Sequence, residues 1–182
     1  MRLRAVLILA VLPLLSTAAF AQLRLVPMKF SKVKLVSGKH SSVVDLDDVL
    51  AGTNGSMPGD PPHRYRVLFA AAKDRFQYLV LNVQSHSPIS DKNAPCGGDA
   101  PQAILWIKAD KLLTTKEFQS EVYESCSYNY YGSKLRMAKN FLKVSYGGRK
   151  AKELTYDNST PEKGLVVGTR EPGMITNSKP NH

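Results

Sequence analysis

From Leu23 to Val36 apolar residues alternate with lysines: Met28 and Phe30 share one parity, Val33 and Leu35 the other, with Lys29, Lys32 and Lys34 between them. Alternation at period two marks a half-buried strand. The parity switch near Ser31 predicts a bulge or bend between two short strands. Val43, Leu46 and Leu50 suit a short helix within Ser42 to Gly52, and Thr53 to Pro62 reads as a Gly-, Pro- and Asn-containing loop. Tyr65 to Ala72 and Arg75 to Gln84 read as two strands of a hairpin around Lys73-Asp74. The run Tyr78-Leu79-Val80-Leu81 is apolar on both faces, which predicts a central strand covered from both sides.

Ser85 to Pro101 reads as a long polar loop holding Cys96. Ala103 to Lys108 is a further strand whose Trp106, the chain's single tryptophan, is expected in the core. Thr114 to Cys126 fits two templates. Thr114-x-x-Glu117 has the form of a helix capping box, and Phe118, Val122 and Cys126 fall four apart. The same residues also share one face of a strand, and the surrounding pattern favours the strand. Lys134 to Tyr146 and Arg149 to Tyr156 flank Gly147-Gly148, which suits a two-residue hairpin turn. Asp157 to Lys163 reads as a turn and Leu165 to Val167 as a closing strand.

Seven to nine short strands with turn signals between them predict a mainly β protein. The expected form is an antiparallel β-sandwich or barrel-like sheet with at most one or two short helices.

The two ends read differently. Residues 1–21 have the three parts of a secretory signal: basic Arg2 and Arg4, an apolar run from Ala5 to Leu15, and an exit ending Ala19-Phe20-Ala21 before Gln22. The apolar run falls short of the roughly 20 residues of a bilayer span, and Pro13 lies inside it. The expected cut follows Ala21, and the expected compartment is extracellular or periplasmic. Residues 22–168 then form a single β-rich domain, and 169–182 a disordered polar tail.

Export changes what the two cysteines mean. In an oxidising compartment Cys96 and Cys126 are expected to pair. Closing a loop of about 31 residues is worth on the order of 3–4 kcal/mol in the chain-entropy picture. The formal net charge is +10, falling to about +8 without the leader. The lysines are spread from Lys29 to Lys179 with no dense run, which suits a solvated surface better than a nucleic-acid groove. A polyanionic or glycan surface, or an extracytoplasmic protein, is the partner class that charge and compartment allow.

Candidate chemistry is sparse. The chain holds no G-x-S-x-G, S-x-x-K or H-E-x-x-H motif. His40, His63, His86 and His182 are dispersed through loops and tail, which offers no metal site. Asp45-x-Asp47-Asp48 resembles the opening of a calcium loop, but the sixth and twelfth positions hold Leu50 and Ser56 instead of Gly and Glu. No cofactor is expected. The densest feature is Tyr128, Tyr130 and Tyr131 with Lys134 and Arg136 close behind, an aromatic and basic loop with Cys126 at its root. Tyrosines offer broad faces and a hydroxyl at low entropy cost, suited to glycan or protein contacts. The alternative is that they cover a sheet. The leading expectation is a non-catalytic secreted binding or accessory module. An inhibitor of a secreted enzyme, or a hydrolase whose site is invisible in sequence, are the alternatives.

Overall fold

The computed structural model of the chain describes residues 23–29, 31–51, 60–86, 100–125, 130, 132–147 and 151–169, with backbone only at 51, 60–63 and 86. Among them are three antiparallel sheets, each a meander. The first holds β1 (Arg24–Pro27), β2 (Lys32–Ser37) and β3 (His40–Asp45). A central sheet holds β4 (Asp60–Lys73), β5 (Phe76–His86), β6 (Gln102–Asp110) and β7 (Lys116–Glu124). The third holds β8 (Lys134–Met137), β9 (Phe141–Tyr146), β10 (Lys152–Asp157) and β11 (Val166–Thr169).

The central sheet is buried on both faces, as the double-sided apolar run of β5 predicts. Leu79, Leu81 and Val83 of β5 join Ala103, Leu105 and Ile107 of β6 against Val33, Leu35 and Val44 of the first sheet. Tyr78 and Val80 join Ile104 and Trp106 against Leu142, Val144, Leu154 and Tyr156 of the third sheet. The result is three layers with two cores in place of the two-sheet sandwich or barrel expected from the sequence. Strand count and alternation are the same for either arrangement. The difference lies in β5 and β6, which among the described strands give buried residues to both cores.

Local chemistry accounts for the boundaries. Ser31, at φ +58°, makes the bend between β1 and β2. The helix α1 (Leu46–Ala51) is shorter than the sequence suggests, because β3 runs through Asp45. Asp45 caps it by accepting from the Asp47 N–H at 3.1 Å, and Leu46 and Leu50, one turn apart, enter the first core.

The ambiguous stretch is strand β7. Thr114 forms no capping box: its hydroxyl and N–H both bond Asp110 in the β6–β7 turn. Glu117 instead meets Lys108 across the strand pair at 2.7 Å.

Two expectations at the third sheet are corrected. Lys134 to Tyr146 is two strands, β8 and β9, because the chain turns at Ala138, whose N–H bonds the Phe141 carbonyl at 2.9 Å. The turn carries neither Gly nor Pro, so the pattern does not announce it. The β9–β10 connection is not a two-residue turn at Gly147-Gly148. Tyr146 pairs with Lys152, which leaves residues 147–151 between the strands. No helix among the described residues is long and apolar enough to cross a membrane. The leader, Cys96, Cys126 and the tail from residue 170 lie outside the described residues.

Candidate functional site: an arginine and amide cleft

Strand β4 is an edge of the central sheet, and a register shift between Val67 and Phe69 divides it. Beyond the shift, Phe69 faces the third sheet opposite Val80 and joins the second core. Before it, Arg64 pairs with Gln84 and Arg66 with Asn82, which puts these four side chains on that same face but at its other end. Without the extra residue Phe69 would point into the first core. The irregularity thus lets one face of one strand be apolar at one end and cationic at the other.

Arg64, Tyr65, Arg66, Asn82 and Gln84 line an open cleft of about 330 Å³. Asn82 Nδ2 donates to Gln102 Oε1 at 3.2 Å. The Tyr123 hydroxyl lies 2.7 Å from that oxygen and 3.0 Å from Asn82 Oδ1. Burial pushes the Tyr123 phenol up to about 12, so it stays protonated and holds this amide pair as a neutral donor. Asn82, in the cleft lining, is therefore held by a fixed polar network behind it.

The charge balance of this end is set by what its acids already do. Glu121 Oε1 accepts from the Tyr146 hydroxyl at 2.6 Å and lies 3.5 Å from Lys152 Nζ. Glu124 accepts from the Ser133 N–H at 3.1 Å. Both carboxylates hold the third sheet and its approach segment against β7. Among the described residues neither Arg64 nor Arg66 is in an ion pair. Two exposed guanidinium groups, two residues apart on one strand face, are left facing solvent beside a wall of amides.

Of the five residues singled out from sequence, the three that are described do not share one face. Tyr128 and Tyr131 lie outside the described residues. Tyr130 is half-buried, with its ring edge-on to Tyr146 at 5.3 Å and under Lys152 Nζ at 5.4 Å. It bridges back to Ser125 through two backbone hydrogen bonds of 2.9 and 3.0 Å. Lys134 and Arg136 are exposed on β8, in register with Ser145 and Lys143. That register puts them on the outer face of the third sheet, opposite to the face of Tyr146 that Tyr130 covers.

Sequence reasoning missed Arg64 and Arg66 because a strand of mixed pattern hides which face each residue takes. The R-x-R spacing was the available signal, since it places both groups on one side of any strand. No group of three or more His, Cys, Asp or Glu among the described residues is arranged to hold a metal ion. Comparison of the chain with family models, with curated proteins and with solved structures returns no match.

Proposed function

We propose that this chain is an exported, non-catalytic binding module that takes an acidic glycan in the Arg64–Arg66 cleft. The observation that carries this reading is the pair of guanidinium groups, without a carboxylate partner among the described residues, beside Asn82 and Gln84. Guanidinium forks match carboxylate geometry in a bidentate way. Side-chain amides carry a donor and an acceptor together and so suit vicinal sugar hydroxyls. An uncharged ligand would leave the arginines unused, and a purely anionic one would leave the amides unused.

Export fits the same reading. Residues 1–21 carry the basic, apolar and small-residue parts of a secretory leader, with the expected cut at Ala21–Gln22. The proposed Cys96–Cys126 disulfide also fits the strand register. Gln102 pairs with Glu124, so the start of β6 and the end of β7 lie side by side. Cys126 follows Glu124 by two residues, and Cys96 precedes Gln102 by six. A chain of that length spans the gap with ease. The bridge would fasten two segments that leave the same end of the central sheet as the cleft.

The test is calorimetric titration of the chain with a short oligogalacturonate at low salt. Binding that weakens by tenfold or more in Arg64→Ala/Arg66→Ala, and severalfold in Gln84→Ala, supports the reading. Equal affinity in the parent and both variants, or no binding by the parent, would remove it. Export is tested separately by N-terminal sequencing of native material, which should begin at Gln22 and show no free thiol when denatured without reductant.

A further inference from the structure

The first sheet turns one face to the core and leaves the other uncovered by any described residue, and that outer face has a distinct pattern. Register places Val26, Lys34 and Val43 in one row across its three strands, Arg24, Val36 and Ser41 in the next, and Lys32 opposite Asp45. Met28 extends the pattern at the end of β1, its N–H bonded to the Lys32 carbonyl at 3.0 Å. Val26, Met28 and Val43 are 45, 47 and 52% exposed, although their strand neighbours Leu25, Val33 and Val44 pack into the first core. Lys29 and Lys39 stand exposed in the two connections of the same sheet. Against five cations stands one acid on this face, Asp45, and it already lies 3.8 Å from Lys32.

We propose that this outer face of the β1–β2–β3 sheet is a docking surface for an anionic lipid bilayer. Charge and polarity both point to that occupant. Lysine stems can lie along Val26 and Val43 while their ammonium groups reach lipid phosphates. The three exposed apolar side chains then enter the headgroup boundary. Each Lys or Arg close to an anionic leaflet raises partitioning by about fivefold. A second copy of the same face would set like charges against each other. A hydrated polyanion would meet the cations but leave the valines and the methionine without a partner. The surface is separate from the Arg64–Arg66 cleft, which lies on the other side of the central sheet.

The test is cosedimentation of the chain beginning at Gln22, which keeps every described residue, with large vesicles. Phosphatidylcholine vesicles with and without 40% phosphatidylglycerol are compared at low and high salt. Binding is expected to the anionic vesicles only. It should fall at least tenfold in Lys29→Glu/Lys34→Glu and severalfold at low salt in Val26→Ser/Val43→Ser. Arg64→Ala/Arg66→Ala should bind vesicles as the parent does, which separates this surface from the cleft. All substitutions are at exposed positions, and far-ultraviolet circular dichroism checks that each variant is folded. No binding to anionic vesicles would overturn the proposal. So would loss with the lysine variant but none with the valine variant, since that pattern marks a soluble polyanion site.

Discussion

The indole N–H of Trp106 donates to the backbone carbonyl of Pro161 at 3.1 Å. Trp106 sits in the middle of β6, 2% exposed, and Pro161 opens the 3-10 turn Pro161–Lys163 that leads into β11. One side chain thus ties the central sheet to the connection that closes the third. Lys73 and Glu162, 2.5 Å apart, add a surface tie to the same turn. Trp106→Phe keeps an aromatic ring and loses the donor, and should cost about 1–3 kcal/mol. Trp106→Ala also opens a cavity and should cost about 3–5 kcal/mol. Urea denaturation followed by circular dichroism measures both. A phenylalanine variant as stable as the parent would mean that the bond contributes nothing.

Gly164 follows that turn at φ 68° and ψ −151°, a region essentially reserved for glycine. A Cβ there would lie 2.3 Å from Gln119 Oε1, the same oxygen that accepts from the Leu165 N–H at 2.8 Å. Gly164→Ala meets two separate obstacles, backbone strain and a clash with a side-chain end. It should destabilise by about 1–3 kcal/mol from the backbone alone. The added cost should shrink, without vanishing, in a Gln119→Ala background, because only the clash is relieved. A double-mutant cycle reads the difference directly, and strict additivity would contradict the contact.

Much of this architecture was legible in the chain, and the misses have physical causes. The strands β5 and β6 are visible because two apolar faces leave no other reading for a short run bounded by turns. The strand nature of β7 follows from its β-rich setting, although Phe118 and Val122 alone fit a helix equally well. What the pattern does not show is which face of a strand meets which sheet. A single extra residue near Leu68 reverses the facing of Arg64 and Arg66 relative to Phe69, and nothing local marks it. The aromatic loop was visible as composition, but Tyr130 and Arg136 fall on opposite faces of the third sheet, and register decides that.

Among the described residues, one fully buried side-chain bond joins the two layers at the first core. Gln77 Nε2 donates to Ser37 Oγ at 2.7 Å, both residues being buried, and Gln77 Oε1 has no partner among the described residues. Removing one partner leaves a buried donor unmet, so Ser37→Ala should cost about 1–3 kcal/mol. Replacing both, as Ser37→Ala/Gln77→Met, removes the unmet atoms together. The double variant should be closer to the parent in stability than Ser37→Ala alone. If it is less stable than Ser37→Ala, the bond is not the reason that Gln77 stands there.

Burial raises the phenols of Tyr123, to about 12, and of Tyr146 and Tyr156 further still. For Tyr146 the hydrogen bond to Glu121 acts in the same direction. The folded state therefore holds protons that the unfolded state releases near pH 10. Stability from this source is complete below about pH 10 and is lost as pH rises through the folded values. In an absorbance titration at 295 nm, these three tyrosines should ionise only as the β-sheet dichroism disappears. Ionisation of all eight tyrosines near pH 10 with the dichroism intact would contradict the packing described.

The proposed seat of an acidic sugar is the cationic end of the central sheet. Side-chain amide and guanidinium resonances, followed by heteronuclear NMR while oligogalacturonate is added, test it at the level of single groups. Saturable shifts confined to Arg64 and Arg66 Nε–H and to the amides of Asn82, Gln84 and Gln102 are the expected result. Shifts centred on Lys134 and Arg136, or spread evenly over the lysines without saturation, would contradict it.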